Sequence, residues 1–183
     1  MYNIICVSVY PLRLHSQIMI TLCHCRATQW LSIGDDMTCC FFGHKDTPST
    51  IKPALEEAIT DLIENQNCDS FLVGHQGSFD GIVLGVLRNL KQKYPNISYN
   101  VVLAYMPGEK TEYEFYAPEE TMYPEGLESV HPRFAISWRN KWLVNESDFV
   151  ICYINRSWGG AAQYVELAQK KNKSVINLAS RSL

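Results

Sequence analysis

Three short glycine-containing loops carry the residues of this chain that are best suited to bind a phosphate group. They read Gly43-His44-Lys45-Asp46, Gly74-His75-Gln76-Gly77-Ser78-Phe79-Asp80 and Ser157-Trp158-Gly159-Gly160. Each loop follows a short apolar run and precedes a helical pattern. Glycine lets a backbone N–H approach a phosphate closely, and the helix that follows presents its positive N-terminal end. The predicted ligand-binding residues in these loops are Gly43, His44, Gly74, Gly77, Asp80, Gly159 and Gly160.

Taken one at a time, these loops have ordinary structural explanations. Glycine also ends strands for conformational reasons, Asp80 could simply cap a turn, and His44 could be a hydrogen-bonded loop histidine. Neither GxGxxG nor GxxxxGK[ST] occurs in them, so hydride transfer and ATP hydrolysis have no direct motif support. The functional interpretation therefore depends on whether the fold brings the three loops to one edge.

The elements between the loops predict such a fold. Five short apolar runs are typical of buried strands, at residues 38–42, 70–73, 99–104, 149–154 and 174–178. Helical patterns separate them, with apolar residues at three-and-four spacing. Strands that alternate with helices imply right-handed crossovers and a parallel sheet. We therefore expect a Rossmann-like, doubly wound α/β domain with about five parallel strands and helices on both faces, its ligand crevice at the carboxyl ends of the strands.

Composition excludes several other classes of protein. The 183 residues are 46% apolar and 19% charged, with a net charge of −3, and no run of Lys and Arg suits a phosphate backbone. Nucleic acid is therefore disfavoured as a partner. No apolar run approaches the roughly 18 residues that span a bilayer, and no secretory signal is convincing. We expect a cytoplasmic protein that does not bind a membrane.

The seven cysteines are an odd number without a disulfide framework, and we interpret them as reduced thiols. Cys39 and Cys40 should point to opposite faces of one strand. Neither the Cys23-His24-Cys25 run nor the histidines of the loops complete a recognised zinc spacing. The sequence thus predicts no metal site and no cofactor.

Regular alternation begins abruptly at Met37. We interpret residues 1–36 as an N-terminal extension outside the core, with Met37 as a candidate natural start, and residues 37–183 as a single domain. Within that domain, residues 106–132 form an irregular stretch with four prolines and several acidic and aromatic residues. Long loops in compact domains are often functional, so this stretch could be a lid or a surface for a protein partner.

From Met37 to Leu178 the chain resembles the YpsA-like branch of the SLOG superfamily, which joins DprA-type proteins and the LOG nucleotide phosphoribohydrolases. The resemblance rests on the opening Cys39–Pro48, the Gly74…Gly77…Asp80 loop, Arg139-Asn140 on a helix, and Ser157–Ala162. It implies a Rossmann-like domain that binds a nucleotide or a related sugar phosphate, with the loop glycines around phosphate and ribose and Asn140 among the ligand-binding residues. It also implies a homodimer.

The LOG enzymes cleave the N-glycosidic bond of nucleoside monophosphates and carry a PGGxGTxxE motif together with an arginine on the preceding helix. Here Glu166 is in the register of the catalytic Glu, and Arg139 is near the arginine. Three motif positions differ, since Trp158, Ala162 and Gln163 replace proline, glycine and threonine. Whether a reaction is catalysed stays open at this point. The main interpretation is a ligand-sensing or ligand-processing domain, and the alternatives are an N-glycoside hydrolase that uses Arg139 and Glu166, and an interaction module that uses loop 106–132.

Overall fold

The computed structural model describes residues 37–106 and 117–181. The predictions about residues 1–36, and about the middle of the 106–132 stretch, lie outside the described residues. The strands are β1 Met37–Gly43, β2 Cys68–Val73, β3 Ser98–Val102, β4 Thr121–Met122, β5 Phe149–Tyr153 and β6 Ser174–Asn177. The helices are α1 Lys52–Gln66, α2 Ser78–Lys93, α3 Pro132–Glu146 and α4 Gly160–Lys170. Short 3₁₀ turns occupy Ser49–Ile51, Pro118–Glu120, Leu127–Ser129 and Leu178–Arg181.

The strands form one parallel sheet in the order β4-β3-β2-β1-β5-β6. This confirms the predicted Rossmann-like α/β class, but the count of about five strands was wrong, because the described residues alone form a sheet of six. The additional strand, β4, lies inside the stretch that we expected to be irregular, where Thr121 and Met122 pair with Val101 and Val102. Two residues are too few to produce a recognisable strand period.

The strand order creates a switch point between β1 and β5. The chain runs outward from β1 through β2 and β3, then returns to place β5 on the other side of β1. Connections that leave β1 and β5 therefore depart in opposite directions, and they open a crevice beyond the carboxyl ends of these two strands. Strand β1 ends at Gly43 and leads into the loop with His44, and the loop after β5 contains Trp158 and Gly159.

Each face of the sheet has its own core. Cys39 and Phe41 of β1 pack with the apolar residues of α1 and α2, whereas Cys40 and Phe42 pack with those of α3 and α4. The expectation that Cys39 and Cys40 face opposite sides is thereby confirmed. Burial raises the pKa of the Cys40 thiol to about 12, so this thiol is protonated at neutral pH and serves as an apolar packing residue. Among residues 37–106 and 117–181, no helix is long and apolar enough to cross a membrane.

Candidate functional site

A cavity of about 330 Å³ opens at the carboxyl end of the sheet, at the switch point between β1 and β5. This volume is within the range of small-molecule sites. Four segments form its walls: the end of β1 with its loop, the β2–α2 loop, the middle of α3, and the β5–α4 loop. The lining residues are Phe41, Phe42, Gly43, His44, Lys45, Gly74, Gln76, Asp80, Ile136, Arg139, Asn140, Leu143, Arg156, Trp158, Gly159, Gly160 and Ala161.

The cavity brings together most of the residues that the sequence singles out. The predicted site residues in its walls are Gly43, His44, Gly74, Asp80, Arg139, Asn140, Gly159 and Gly160. Two others, Gly77 and Glu166, are not among the lining residues. All three glycine loops thus contribute to one crevice.

Arg139 and Asp80 form the charged floor of the cavity. Arg139 is only 3% exposed, and its Nη1 donates to the carbonyl oxygen of Val102 at 3.0 Å, while its Nε has no hydrogen-bond partner. The Oδ2 atom of Asp80 accepts a hydrogen bond from the backbone N–H of Gln76 at 2.8 Å. Burial raises the pKa of Asp80 to about 6, although the Gln76 bond and the charge of Arg139 oppose the shift. The pKa of Arg139 is lowered by burial, and the charge of Asp80 limits that decrease.

At Gly43 and Gly74, neighbouring side chains leave no room for a Cβ atom. A Cβ at Gly43 would lie within 2.7 Å of three Phe79 atoms, and a Cβ at Gly74 would lie 2.5 Å from Asp80 Oδ2 and 3.0 Å from Arg139 Nη1. Close packing against buried side chains therefore suffices to explain glycine at both positions. That Gly43 and Gly74 also let a phosphate approach the backbone stays a prediction.

Gly77 lies next to the β1–α1 loop, outside the cavity lining. Its φ is +121°, a conformation that side chains other than glycine rarely adopt, and a Cβ there would lie 3.2 Å from Lys45 Cα. The next residue, Ser78, donates to the carbonyl oxygen of Lys45 from its backbone N (3.2 Å) and from its Oγ (2.6 Å). The backbone conformation that glycine permits at position 77 therefore accompanies a hydrogen-bonded junction between the β2–α2 loop and the β1–α1 loop.

The β5–α4 loop is open by comparison. Gly159 has a φ of +111°, and beyond the neighbouring residues no atom lies within 4 Å of the position that a Cβ would take at Gly159 or at Gly160. The first N–H groups of α4 have no partner within the helix. They lie beside the cavity with open space in front of them, which suits an anionic group.

His44 is a buried polar group in the β1–α1 loop. It is 6% exposed, and its Nε2 has no hydrogen-bond partner. Burial and the charge of Arg156 lower its pKa, and the charge of Asp46 raises it. The loop around it is held by Thr47, whose Oγ1 donates to the His44 carbonyl oxygen at 2.6 Å.

Sequence reasoning missed several residues of the cavity wall. On α3, Ile136 and Leu143 accompany Arg139, at the three-and-four spacing of one helix face, so the periodicity around Arg139 contained the signal. Arg156 could not have been found from such a periodicity. It donates to the Asp46 carboxylate at 2.9 and 3.3 Å, and its guanidinium lies 4.7 Å from the centroid of the Trp158 ring. No local pattern indicates an ion pair between residues so distant in the chain.

Glu166 lies outside the cavity. Its side chain is 63% exposed and forms an ion pair at 2.6 Å with Lys170, one helical turn away. The hydrogen bond from Lys170 lowers the pKa of Glu166. The residues that α4 directs into the core are Tyr164, Val165 and Ala168. The two predicted catalytic residues, Arg139 and Glu166, are thus not brought together.

Within the described ranges, no group of three or more His, Cys, Asp and Glu side chains is arranged to hold a metal ion. No family model and no curated protein matches this chain.

Proposed function

We propose that this chain is a SLOG-type, Rossmann-like domain whose cavity binds a nucleotide or a nucleotide-derived phosphate ligand, as a sensing or processing module. The observation that carries the proposal is the position and lining of the cavity. It lies at the β1–β5 switch point, and its walls contain the N-terminus of α4 and the buried guanidinium of Arg139.

The charge of the lining favours an anion. Lys45, Arg139 and Arg156 contribute three cationic side chains, against one carboxylate, Asp80, whose pKa is raised to about 6. The Asp46 carboxylate offsets part of the Arg156 charge from the side. A cleft lined mainly by one sign of charge attracts ligands of the opposite sign.

Arg139 is the strongest single argument for a phosphate. A buried guanidinium is costly unless its donors are satisfied. Its Nη1 hydrogen bond is to a neutral carbonyl, its Nε is unpartnered, and no ion pair joins it to a carboxylate in the described part of the chain. Because Arg139 lines the cavity, a phosphate there could accept from its guanidinium, and charge-assisted hydrogen bonds of this kind are about twice as strong as neutral ones.

The remaining lining suits the apolar parts of a nucleotide. Phe42, Ile136, Leu143 and Ala161 provide apolar wall, and Gln76 and Asn140 add polar side chains that could orient a sugar or a base. Small-molecule sites commonly combine a mostly apolar wall with a few such groups.

Release of the base is not part of this proposal. A hydrolase that uses Glu166 needs that carboxylate beside the glycosidic bond, whereas here it is exposed and paired with Lys170. Arg139 is assigned to phosphate binding. A partner for loop 106–132, a homodimer and a cytoplasmic location stay predictions from the sequence.

Thermal unfolding of the full chain tests the proposal. The ligand panel contains nucleoside monophosphates, ADP-ribose, NAD and ribose 5-phosphate, and base release is assayed for every hit. A ligand at about 100 times its Kd should add roughly 2.7 kcal/mol to the unfolding free energy and raise the midpoint by several degrees.

Gly159→Val should abolish the shift, because the side chain is strained at φ +111° and fills the space before α4. Gly81→Val is the matched control, since Gly81 lies on α2, outside the cavity lining, with nothing within 4 Å of its Cβ position. The proposal is wrong if no ligand shifts the midpoint, or if both variants retain the shift.

A further inference from the structure

Trp158 is an exposed aromatic residue at the cavity. Four large apolar residues are exposed in the described part of the chain, and Trp158, at 69%, is the one that also lines the cavity. The others are Tyr105, Met106 and Phe134. An exposed aromatic ring in the wall of a ligand-sized cavity offers a flat contact surface to whatever the cavity binds.

One face of the Trp158 ring is covered by a fixed cation. The Arg156 guanidinium lies 4.7 Å from the ring centroid, and two hydrogen bonds to the Asp46 carboxylate hold it there. This paired geometry restrains Arg156 and, through it, the ring. Since the residue is nevertheless 69% exposed, the opposite ring face is uncovered.

The backbone next to the ring leaves room for a planar group. Gly159 and Gly160 follow Trp158 directly, and beyond the neighbouring residues no atom lies within 4 Å of the position that a Cβ would take at either glycine. All three residues line the cavity. Arg139, a buried cation whose Nε has no hydrogen-bond partner, lines the same cavity.

We propose that the uncovered face of Trp158 stacks on a nucleobase, so that the ligand of this cavity is a base-bearing nucleotide and not a bare sugar phosphate. The inference rests on the proposed function and narrows its ligand class. The phosphate is bound by Arg139, and the base lies over Trp158 at the mouth. Stacking of this kind tolerates any base, because every base has a π-face. Trp158 thus selects for the presence of a base.

The test compares affinities of the full chain for matched ligands by titration calorimetry. The probes are AMP, GMP, CMP and UMP, with ribose 5-phosphate as the ligand that lacks a base. Trp158→Ala should weaken the best-bound nucleotide by about 5- to 150-fold, the range for loss of one base–aromatic stack. It should leave the affinity for ribose 5-phosphate unchanged within twofold. Trp158→Phe should recover most of the loss, because phenylalanine retains a stacking face.

Phe134→Ala is the control, since Phe134 is an exposed aromatic residue of α3 that does not line the cavity. It should change none of the affinities. The inference is overturned if Trp158→Ala weakens ribose 5-phosphate as much as the nucleotides, or if it weakens neither. A wild-type chain that binds ribose 5-phosphate as tightly as every nucleotide also overturns it, while leaving phosphate binding in the cavity intact. A wild-type chain that binds no probe contradicts the proposed function itself.

Discussion

Gly77 and Gly159 have nearly the same backbone conformation and very different surroundings. Each occupies the N-cap position of a helix that follows a strand, with φ and ψ of 121° and 170° at Gly77 and of 111° and 169° at Gly159. A Cβ at Gly77 would contact the Lys45 backbone at 3.2 Å, whereas a Cβ at Gly159 would contact nothing within 4 Å. The same glycine requirement thus supports a packed junction in one loop and an open ligand approach in the other.

The loops that contain these two glycines differ in the same way as the glycines themselves. The packed junction consists of residues 43–46 and 74–80, which are joined by the Ser78 hydrogen bonds to Lys45 and by Phe79 packed against Gly43. The open loop consists of residues 156–161, where Trp158 is exposed and the α4 N-terminus is uncovered. Packing in the junction stabilises the fold, and space in the open loop is available to a ligand.

The largest effect is expected at Gly43. Gly43→Ala places a methyl group within 2.7 Å of three Phe79 atoms in the buried core and should lower the free energy of unfolding by about 3 kcal/mol. Gly160→Ala is the matched change in the open loop and should cause no loss, because its Cβ meets no atom. Urea unfolding measures both. Equal losses at the two positions would contradict the distinction between junction and open loop.

The two positive-φ glycines provide a finer comparison. Gly77→Ala and Gly159→Ala both force alanine into a strained conformation, which costs roughly 1–3 kcal/mol. Gly77→Ala should cost about 1 kcal/mol more, since its Cβ also lies 3.2 Å from Lys45 Cα. The measurement is urea unfolding of both variants. A larger loss at Gly159 would mean that residues 156–161 are packed and leave no room for a ligand.

Asp80 should give the junction a pH dependence. Its pKa is raised to about 6 in the folded chain, so the folded state binds a proton more tightly than the unfolded state, where the ordinary value is 3.8. Its contribution to stability is therefore present below about pH 4 and is lost as the pH rises to about 6. We expect the unfolding free energy of the wild type, relative to Asp80→Asn, to fall by about 2 kcal/mol between pH 4 and pH 7.

Urea titrations of both proteins at four pH values measure this difference, in which the contributions of other groups cancel. His44, whose lowered pKa adds a stability change of the opposite sign near pH 6, is one of these groups. A difference that is flat with pH would mean that Asp80 is solvated.

The smallest effect is expected at Glu166, outside both loops. Glu166→Ala removes an exposed ion pair with Lys170 and should change neither the unfolding midpoint nor the affinity for nucleotides measurably. Lys170→Ala is the control that breaks the same pair from the other side. Nucleotide affinity lost in Glu166→Ala but retained in Lys170→Ala would return Glu166 to the site and revive the hydrolase alternative.

The sequence predicted the strands and helices in which a regular apolar pattern extends over several residues. The core strands and helices followed from apolar runs and three-and-four spacing, and the three glycine loops followed from their places between those elements. Strand β4 was missed because Thr121 and Met122 pair only through tertiary context. Sequence reasoning identified Arg139 and Asp80 but could not foresee their burial.

The features of the site that could not be predicted from the sequence depend on which residues, distant in the chain, are neighbours in the fold. Gly77 and Gly159 give the same local signal, and only the neighbouring Lys45 backbone distinguishes their roles. The ion pair of Arg156 with Asp46 joins loops 110 residues apart. Glu166 was singled out by its register in a family motif, whereas its spacing to Lys170 already indicated a surface pair on one helix face.

Hydrogen–deuterium exchange with and without ligand tests most directly whether the cavity binds a nucleotide through the open loop. The full chain is measured alone and with the nucleotide that gives the largest thermal shift. We predict slower exchange in the open loop and the first turn of α4, together with residues 43–46, and unchanged exchange at the distant end of α1. Unchanged exchange in the open loop, or protection confined to segments away from the cavity, would contradict nucleotide binding at this site.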